Sequence, residues 1–191
     1  MPVTLGASPD HGFDQPLGLL SDCHRRIERF LNALWRVTSD RHGGELQDEE
    51  RHTLRRALEY FRNAAPRHTE DEEASLFPRL RAIDSPQVKA LMRDVERLEA
   101  DHRAAEAQHD RVHELVDGWL GRGQLGERHL QELVVLLAAL RDMYREHIAQ
   151  EDERVFPLAA RLLSQSQLEQ IGQEMAMRRG VETRRLDEES R

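Results

Sequence analysis

An all-α fold is what this chain predicts: an up-down-up-down antiparallel four-helix bundle with a short N-terminal arm and a short fifth, C-terminal helix. Three observations carry that prediction. Leu, Ala, Glu, Arg and Gln dominate while aromatic residues make up only 5%, and these straight-chain residues lose little rotamer freedom in a helix. Four long stretches repeat apolar residues at three- and four-residue steps, the period of one helix face. Short connections rich in Gly, Ser or Pro separate them, as antiparallel neighbours require. Residues 1–16 read as an arm, 17–163 as the bundle, and 164–191 as the last helix and a tail.

The arm holds three prolines and two glycines, so it is expected to be extended. The first helix, about 17–38, carries Leu20, His24, Ile27, Leu31 and Leu34 on one face, and Gly43-Gly44 follow as its stop. The second, about 47–82, carries Leu54, Leu58, Phe61, Ala65, His68 and Glu72. Pro66 interrupts it, and proline removes a backbone hydrogen bond and crowds the preceding turn, so a kink is expected there. Ser85-Pro86 opens the third helix as an N-cap followed by proline at the first position. Its face runs Leu91, Val95, Leu98, His102, Ala105, His109, Val112 and Val116 until Gly121–Gly126. The fourth helix continues to about 163 through Leu130, Leu133, Leu137, Leu140, Tyr144, His147, Glu151 and Val155. The fifth spans about 167–179, capped by Ser164 or Ser166 and stopped by Gly180, and 181–191 read as a frayed tail.

The net charge is −8, with 36 acidic against 28 basic residues. An acidic chain repels a phosphate backbone, so nucleic acid is not expected as a partner. The pairs Arg178-Arg179 and Arg184-Arg185 read as parts of a solvated tail. Cys23 is the one cysteine, which excludes an internal disulfide. The opening MPVTLGASPD lacks the basic and apolar regions of an export signal. The longest apolar run, Leu133–Leu140, falls short of the roughly 18 residues that span a bilayer. These features lead to the expectation of a soluble, cytoplasmic protein without a membrane partner; they leave the oligomeric state open.

The chain also writes one sentence twice. HTEDEEASLFP begins at His68 and HIAQEDERVFP at His147, 79 residues later, and His24 precedes His102 by 78. Two helical hairpins related by a pseudo-two-fold are expected from this doubling. Counting helical residues to the connections brings the four histidines to nearly one level, since a two-residue mismatch is only about 3 Å. His68 and Glu72, like His147 and Glu151, lie one turn apart on one face. Two carboxylates inside an apolar bundle are costly unless a cation neutralises them, and imidazole with carboxylate suits Fe, Mn or Zn. Four imidazoles and two bridging carboxylates fill most of the positions on two six-coordinate ions. The remainder can hold an oxo or hydroxo bridge and exogenous ligands. A closed structural zinc site needs only four ligands.

His24, the pair His68-x₃-Glu72, His102 and the pair His147-x₃-Glu151, in that order on four helices, resemble the hemerythrin-like, or HHE cation-binding, family over about 17–160. The resemblance implies a di-iron centre bridged by Glu72 and Glu151. The oxygen-carrying members place a second histidine four residues after the one on the third helix, where this chain has Glu106. They hold five histidines divided three and two; here there are two for each iron, with Glu106, and also Glu28, as further candidates. An added anionic ligand stabilises the ferric state. The resemblance therefore implies reaction with, or sensing of, oxygen, nitric oxide or peroxide in oxidative or nitrosative stress, rather than oxygen storage. The alternatives are a peroxide-consuming, catalase-like or oxidase enzyme, and a protein of iron–sulfur cluster repair.

The remaining features have plainer readings. Tyr144 lies one turn before His147, as a core tyrosine or a donor to a bound ligand. His109 sits about 10 Å along the axis from His102, out of reach of the same ions but able to line an access path. Cys23 points to another face from His24. Phe77-Pro78 and Phe156-Pro157 are expected to plug the bundle beyond the glutamates and to bend their helices. The Glu-x-x-His spacing of ferritin-like proteins occurs at Glu99/His102 and Glu49/His52, but His52 is off the stripe and far from His68.

Overall fold

The computed structural model describes residues 10–181, all of whose regular elements are helical. Helix α1 spans Pro16–Arg41 and α2 Asp48–Asn63; α3 (Ala65–Asp71), a π-helical turn (Glu72–Leu76) and α4 (Phe77–Arg81) continue its path. Helix α5 spans Pro86–Arg122 and α6 Glu127–Gln150, the latter continued by a second π-helical turn (Glu151–Val155) and α7 (Phe156–Leu162). Helix α8 (Gln165–Arg178) closes the described chain. Helix α1 packs on α2 and α6, and α5 packs on α6 and α2, which is the ring of neighbours of a four-helix bundle. Among the described residues no helix is long and apolar enough to cross a membrane. All but the first residue of the expected frayed tail at 181–191, and most of the expected arm, lie outside the described residues.

Helix boundaries follow the residues expected to set them. Ser85 caps α5, accepting from the Gln87 N–H, with Pro86 in the first turn. Ser164 and Gln167 form a reciprocal capping box at the start of α8, two residues earlier than the sequence spacing placed that helix. At the far end of the bundle the two hairpin connections touch: Leu125 N–H donates to the Gly43 carbonyl at 2.8 Å. Gly43 has φ +75°, and a Cβ there would press on the Leu125 carbonyl, so glycine is needed on both counts.

The second bundle helix is not one piece. It breaks at Asn63–Ala64, just before Pro66, as the proline predicts. The larger departure lies at the glutamates. Instead of bending past them, each helix widens into a π turn that begins on the glutamate itself. The Phe77 N–H reaches the Glu72 carbonyl, and the Phe156 N–H reaches the Glu151 carbonyl. Pro78 and Pro157 supply the reason: each lacks an N–H and would crowd the carbonyl four residues back. A π turn takes up one extra residue and re-phases the next helical turns, so that Glu72 and Leu76, then Phe77 and Leu80, are all buried.

Two apolar clusters fill the bundle. One gathers Ile27, Leu31, Leu34, Leu54, Phe61, Val116, Trp119, Leu133, Leu137 and Leu140 toward the end with the two touching connections. The other gathers Leu20, Leu76, Phe77, Leu80, Val95, Leu98, Val155 and Phe156 with Ile171 and Met175 of α8. The histidines and glutamates of the repeat lie between them. Helix α8 covers the second cluster, and its Gly172 lies so close to Phe13 that any side chain there would collide with the Phe13 carbonyl. Arg178 and Arg179 are not solvated tail residues. Their guanidiniums bind the fully buried Asp71 at 2.9 and 2.6 Å, because α8 folds back along α3 rather than trailing away.

Candidate metal centre

Six of the seven candidate ligands meet in one buried layer. His24 comes from α1, His68 from α3, His102 from α5 and His147 from α6, while Glu72 and Glu151 open the two π turns. His24, His68, Glu72 and Glu151 can each offer one donor atom with all four atoms within 4.8 Å of one another, and so can Glu72, His102, His147 and Glu151. Each hairpin thus supplies the imidazole pair of one group, and both groups share the two carboxylates.

The Nε2 atoms face inward. That of His24 lies 3.1 Å from Glu151 Oε2 and 3.8 Å from Glu72 Oε1, and that of His68 lies 3.4 Å from Glu72 Oε1. Opposite them, His102 Nε2 lies 3.5 Å from Glu72 Oε2 and His147 Nε2 lies 3.2 Å from Glu151 Oε2. Two ligands about 2.1 Å from one ion and at right angles are about 3 Å apart, so these separations suit a shared cation. Both carboxylates are completely buried, yet all four of their oxygens lack a hydrogen-bond partner, as does His24 Nε2. Burying such groups without partners costs several kcal/mol each. A bound cation removes the cost; the donor set therefore fits a metal.

The carboxylate that follows each shared glutamate reaches the opposite hairpin. The His24 Nδ1–H donates to Asp152 at 3.1 Å, and the His102 Nδ1–H donates to Glu73 at 2.8 Å. Such a bond fixes the tautomer that leaves Nε2 free and makes the imidazole a better donor to a metal. Asp152 also accepts from Ser21 at 2.7 Å and from Arg25 at 2.8 Å. Sequence reasoning missed Glu73 and Asp152. The signal was the pair of successive acids in each repeat, Glu72-Glu73 and Glu151-Asp152.

Electrostatics mark the layer as unbalanced without a cation. Burial raises the Glu72 carboxyl, and the facing Glu151 charge raises it further. Burial acts on Glu151 too, but its contacts with His147 and His24 outweigh it and hold that carboxyl low. Like charges at this distance cannot both ionise freely. Burial disfavours the charged form of every imidazole; at His24 the bond to Asp152 and the nearby charges of Glu151 and Glu72 overcome it, and at His147 the nearby Glu151 carboxylate does. At His68 and His102 burial wins. Protons and a cation therefore compete for the same donor atoms in this layer.

The remaining candidates fall elsewhere. Glu106 is exposed and belongs to neither group; it lines a cleft outside the layer with Glu73, His102, His109 and Tyr144. The buried face of α5 runs through Leu98, Ala105 and Val112, which turns Glu106 toward solvent. Glu28 is exposed as well. Phe156 does plug the layer: its ring stacks on that of His24 at 5.4 Å and 11°, and Phe77 is fully buried. Cys23 is buried and free, with its sulfur 3.0 Å from Arg26.

The hemerythrin HHE cation binding domain is the family whose model matches this chain, over residues 15–159. An uncharacterized protein of Haemophilus influenzae is 30% identical over 175 residues, covering 88% of this chain and 92% of the relative. Together with the cluster of His and Glu side chains, the match points to metal binding.

Proposed function

Since the chain belongs to the hemerythrin HHE cation-binding domain family, we propose that it is a non-haem di-iron protein that reacts with or senses oxygen, nitric oxide or peroxide rather than storing oxygen. One observation carries the reading: two imidazole pairs share two fully buried, otherwise unpartnered carboxylates. His24 and His68 would hold one ion and His102 and His147 the other, with Glu72 and Glu151 between them. An iron pair held there would supply one-electron redox change at each ion and a place for a small ligand. Mn and Zn suit the same donors.

The chain's own part is to orient and enclose. Asp152 and Glu73 hold the imidazoles of His24 and His102 in the ligating tautomer. Phe156 and the apolar clusters keep bulk water from the layer. Both groups offer the same donors, two imidazoles and two shared carboxylates, so neither ion would be held by more protein donors than the other. That symmetry supports redox reaction or sensing over carriage. It stands without Glu106, whose side chain points to solvent.

The test is to load the protein with iron, measure metal content, reduce it without air, and titrate it with oxygen, peroxide and nitric oxide while recording spectra. Two irons per chain in wild type and loss of iron in Glu72→Ala are expected. A stable, reversible oxygen adduct would overturn the reading against storage. Sustained oxygen release from peroxide would instead establish the catalase-like enzyme.

A further inference from the structure

A small cavity of about 10 Å³ touches all four histidines of the layer and is closed by Ile27, Ala65, Thr69 and Tyr144. It has room for about one water-sized molecule. Outside it lies a cleft of about 370 Å³, bounded by Leu58, Phe61 and Val112 on its apolar side and by Arg62, Arg103 and Glu106 among its charged residues. The two spaces share four residues, Ala65, Thr69, His102 and Tyr144, and these form the neck between them. A second cleft also meets the layer, but it shares only His147 with the inner cavity.

Three of the four neck residues cannot move aside. Ala65 has no rotamer to change. Thr69 is β-branched and stiff within a helix. His102 is held by Glu73 at 2.8 Å. Tyr144 remains: it is both long and unbranched at Cβ, and among the described residues its hydroxyl makes one hydrogen bond, donating to His109 Nε2 at 3.0 Å. His109 in turn lies flat on Phe61, with ring centroids 4.3 Å apart and an interplanar angle of 21°. Burial pushes the His109 imidazole down to about 4, so it is neutral and Nε2 accepts. The repeat shows that this pair is added to the site rather than part of its duplicated frame: the pseudo-equivalent of Tyr144 is Ala65, and that of His109 is Leu31.

We propose that Tyr144 is a gate between the outer cleft and the metal layer, and that His109 is the latch that holds it shut. The proposal rests on the di-iron reading above and adds to it the route by which a small ligand enters. His109 acts on the ligand only through Tyr144, so it is a positioning residue. Releasing the latch should speed entry and exit alike and leave the equilibrium unchanged.

The probe is azide, added to the iron-loaded ferric protein and followed by rapid mixing. In His109→Leu, association and dissociation are both expected to rise about threefold to tenfold, the worth of one net hydrogen bond, with Kd unchanged. His109→Gln, whose side-chain oxygen can accept from the tyrosine, should return the rates toward wild type. Thr69→Phe, which narrows the neck, should slow association. Metal content is measured on every sample. A wild-type chain that retains no iron overturns the di-iron reading and the gate with it. A chain that retains iron but binds azide at the wild-type rate in His109→Leu overturns the gate alone. A changed Kd with an unchanged association rate does so too, since it assigns His109 to ligand stability instead of passage.

Discussion

The two hairpins deliver the same candidate ligands and differ in almost everything around them. At matched positions one has Asp71 and the other Gln150, one Ala65 and the other Tyr144, one Leu31 and the other His109. The first hairpin is clamped from outside: Arg178 and Arg179 at the end of α8 hold Asp71, Arg178 also donates to Ser75 at 2.7 Å, and Arg79 is paired with Glu174 at 2.7 Å. On the second hairpin the matched Gln150 accepts a long 3.4 Å bond from its own neighbour Arg154. Tyr144 and His109 of that hairpin line the outer cleft instead. The repeat thus keeps one His and Glu cluster common to both hairpins, while the first hairpin is clamped by α8 and the second carries Tyr144 and His109 on the outer cleft.

The sharpest way to break that comparison is to remove the clamp. Replacing both Arg178 and Arg179 with Met leaves Asp71 buried with no positive partner. Unpairing a buried charge costs about 3–5 kcal/mol, and the arginine side chains are 15% and 20% exposed, so the lower end, about 3 kcal/mol, is expected in denaturant unfolding. Gln150→Ala on the other hairpin should change stability by about 0.5 kcal/mol or less. Comparable losses from the two changes would refute the asymmetry.

The second prediction tests where the hairpins should agree. Glu73→Gln and Asp152→Asn each remove the charge that orients an imidazole across the bundle, and such partners typically carry about 10- to 100-fold in metal affinity. Competition against a chelator measures it. Asp152→Asn should lie at the upper end, since Asp152 fastens Ser21, His24 and Arg25 together, whereas Glu73 fastens His102. Equal metal affinity in wild type and both variants would remove them from the site.

How much of this could be read from the chain depends on how local the cause is. The four helices, the Ser85-Pro86 start and the meeting of six candidate ligands come from period and repeat, which are properties of neighbouring residues. The π turns were not legible, because periodicity arguments assume 3.6 residues per turn and Pro78 and Pro157 change that number. Glu73 and Asp152 were written in both repeats, but their partners lie on the other hairpin. Arg178 and Arg179 looked like solvated charges, and only the path of α8 brings them to Asp71. Glu106 differs in the opposite way: its spacing from His102 matches the pattern, while its side chain is exposed outside the layer.

A smaller effect tests how α8 is held in place. The Ser164 side chain accepts the Gln167 N–H, while the Gln167 side chain returns to Ser164. Ser164→Ala should cost about 1 kcal/mol, read as a lower midpoint of thermal unfolding. Because α8 packs chiefly on α1, α3 and the first π turn, hydrogen exchange should rise more around Asp71 and Ser75 than around Gln150 and Arg154. A uniform rise along both hairpins would mean that α8 supports the bundle as a whole.

The smallest effect is a pH dependence confined to the same clamp. Burial raises the Glu174 carboxyl, but the bonds from Arg79 outweigh it and leave it below its ordinary value. A carboxylate depressed on folding adds stability that is complete above its unfolded value and lost as pH falls through its folded one. Glu174 is about one-third exposed, so solvent screening keeps the contribution to about 1 kcal/mol or less. Below pH 4.5 wild type should therefore lose a little more stability than Glu174→Gln, and above it the two curves should run parallel with wild type higher. Adding salt should bring them together, because the Arg79 pair lies near the surface. Curves that stay parallel well into the acid range would place the acid sensitivity of this protein elsewhere, in the carboxylates between the hairpins rather than in the clamp on one of them.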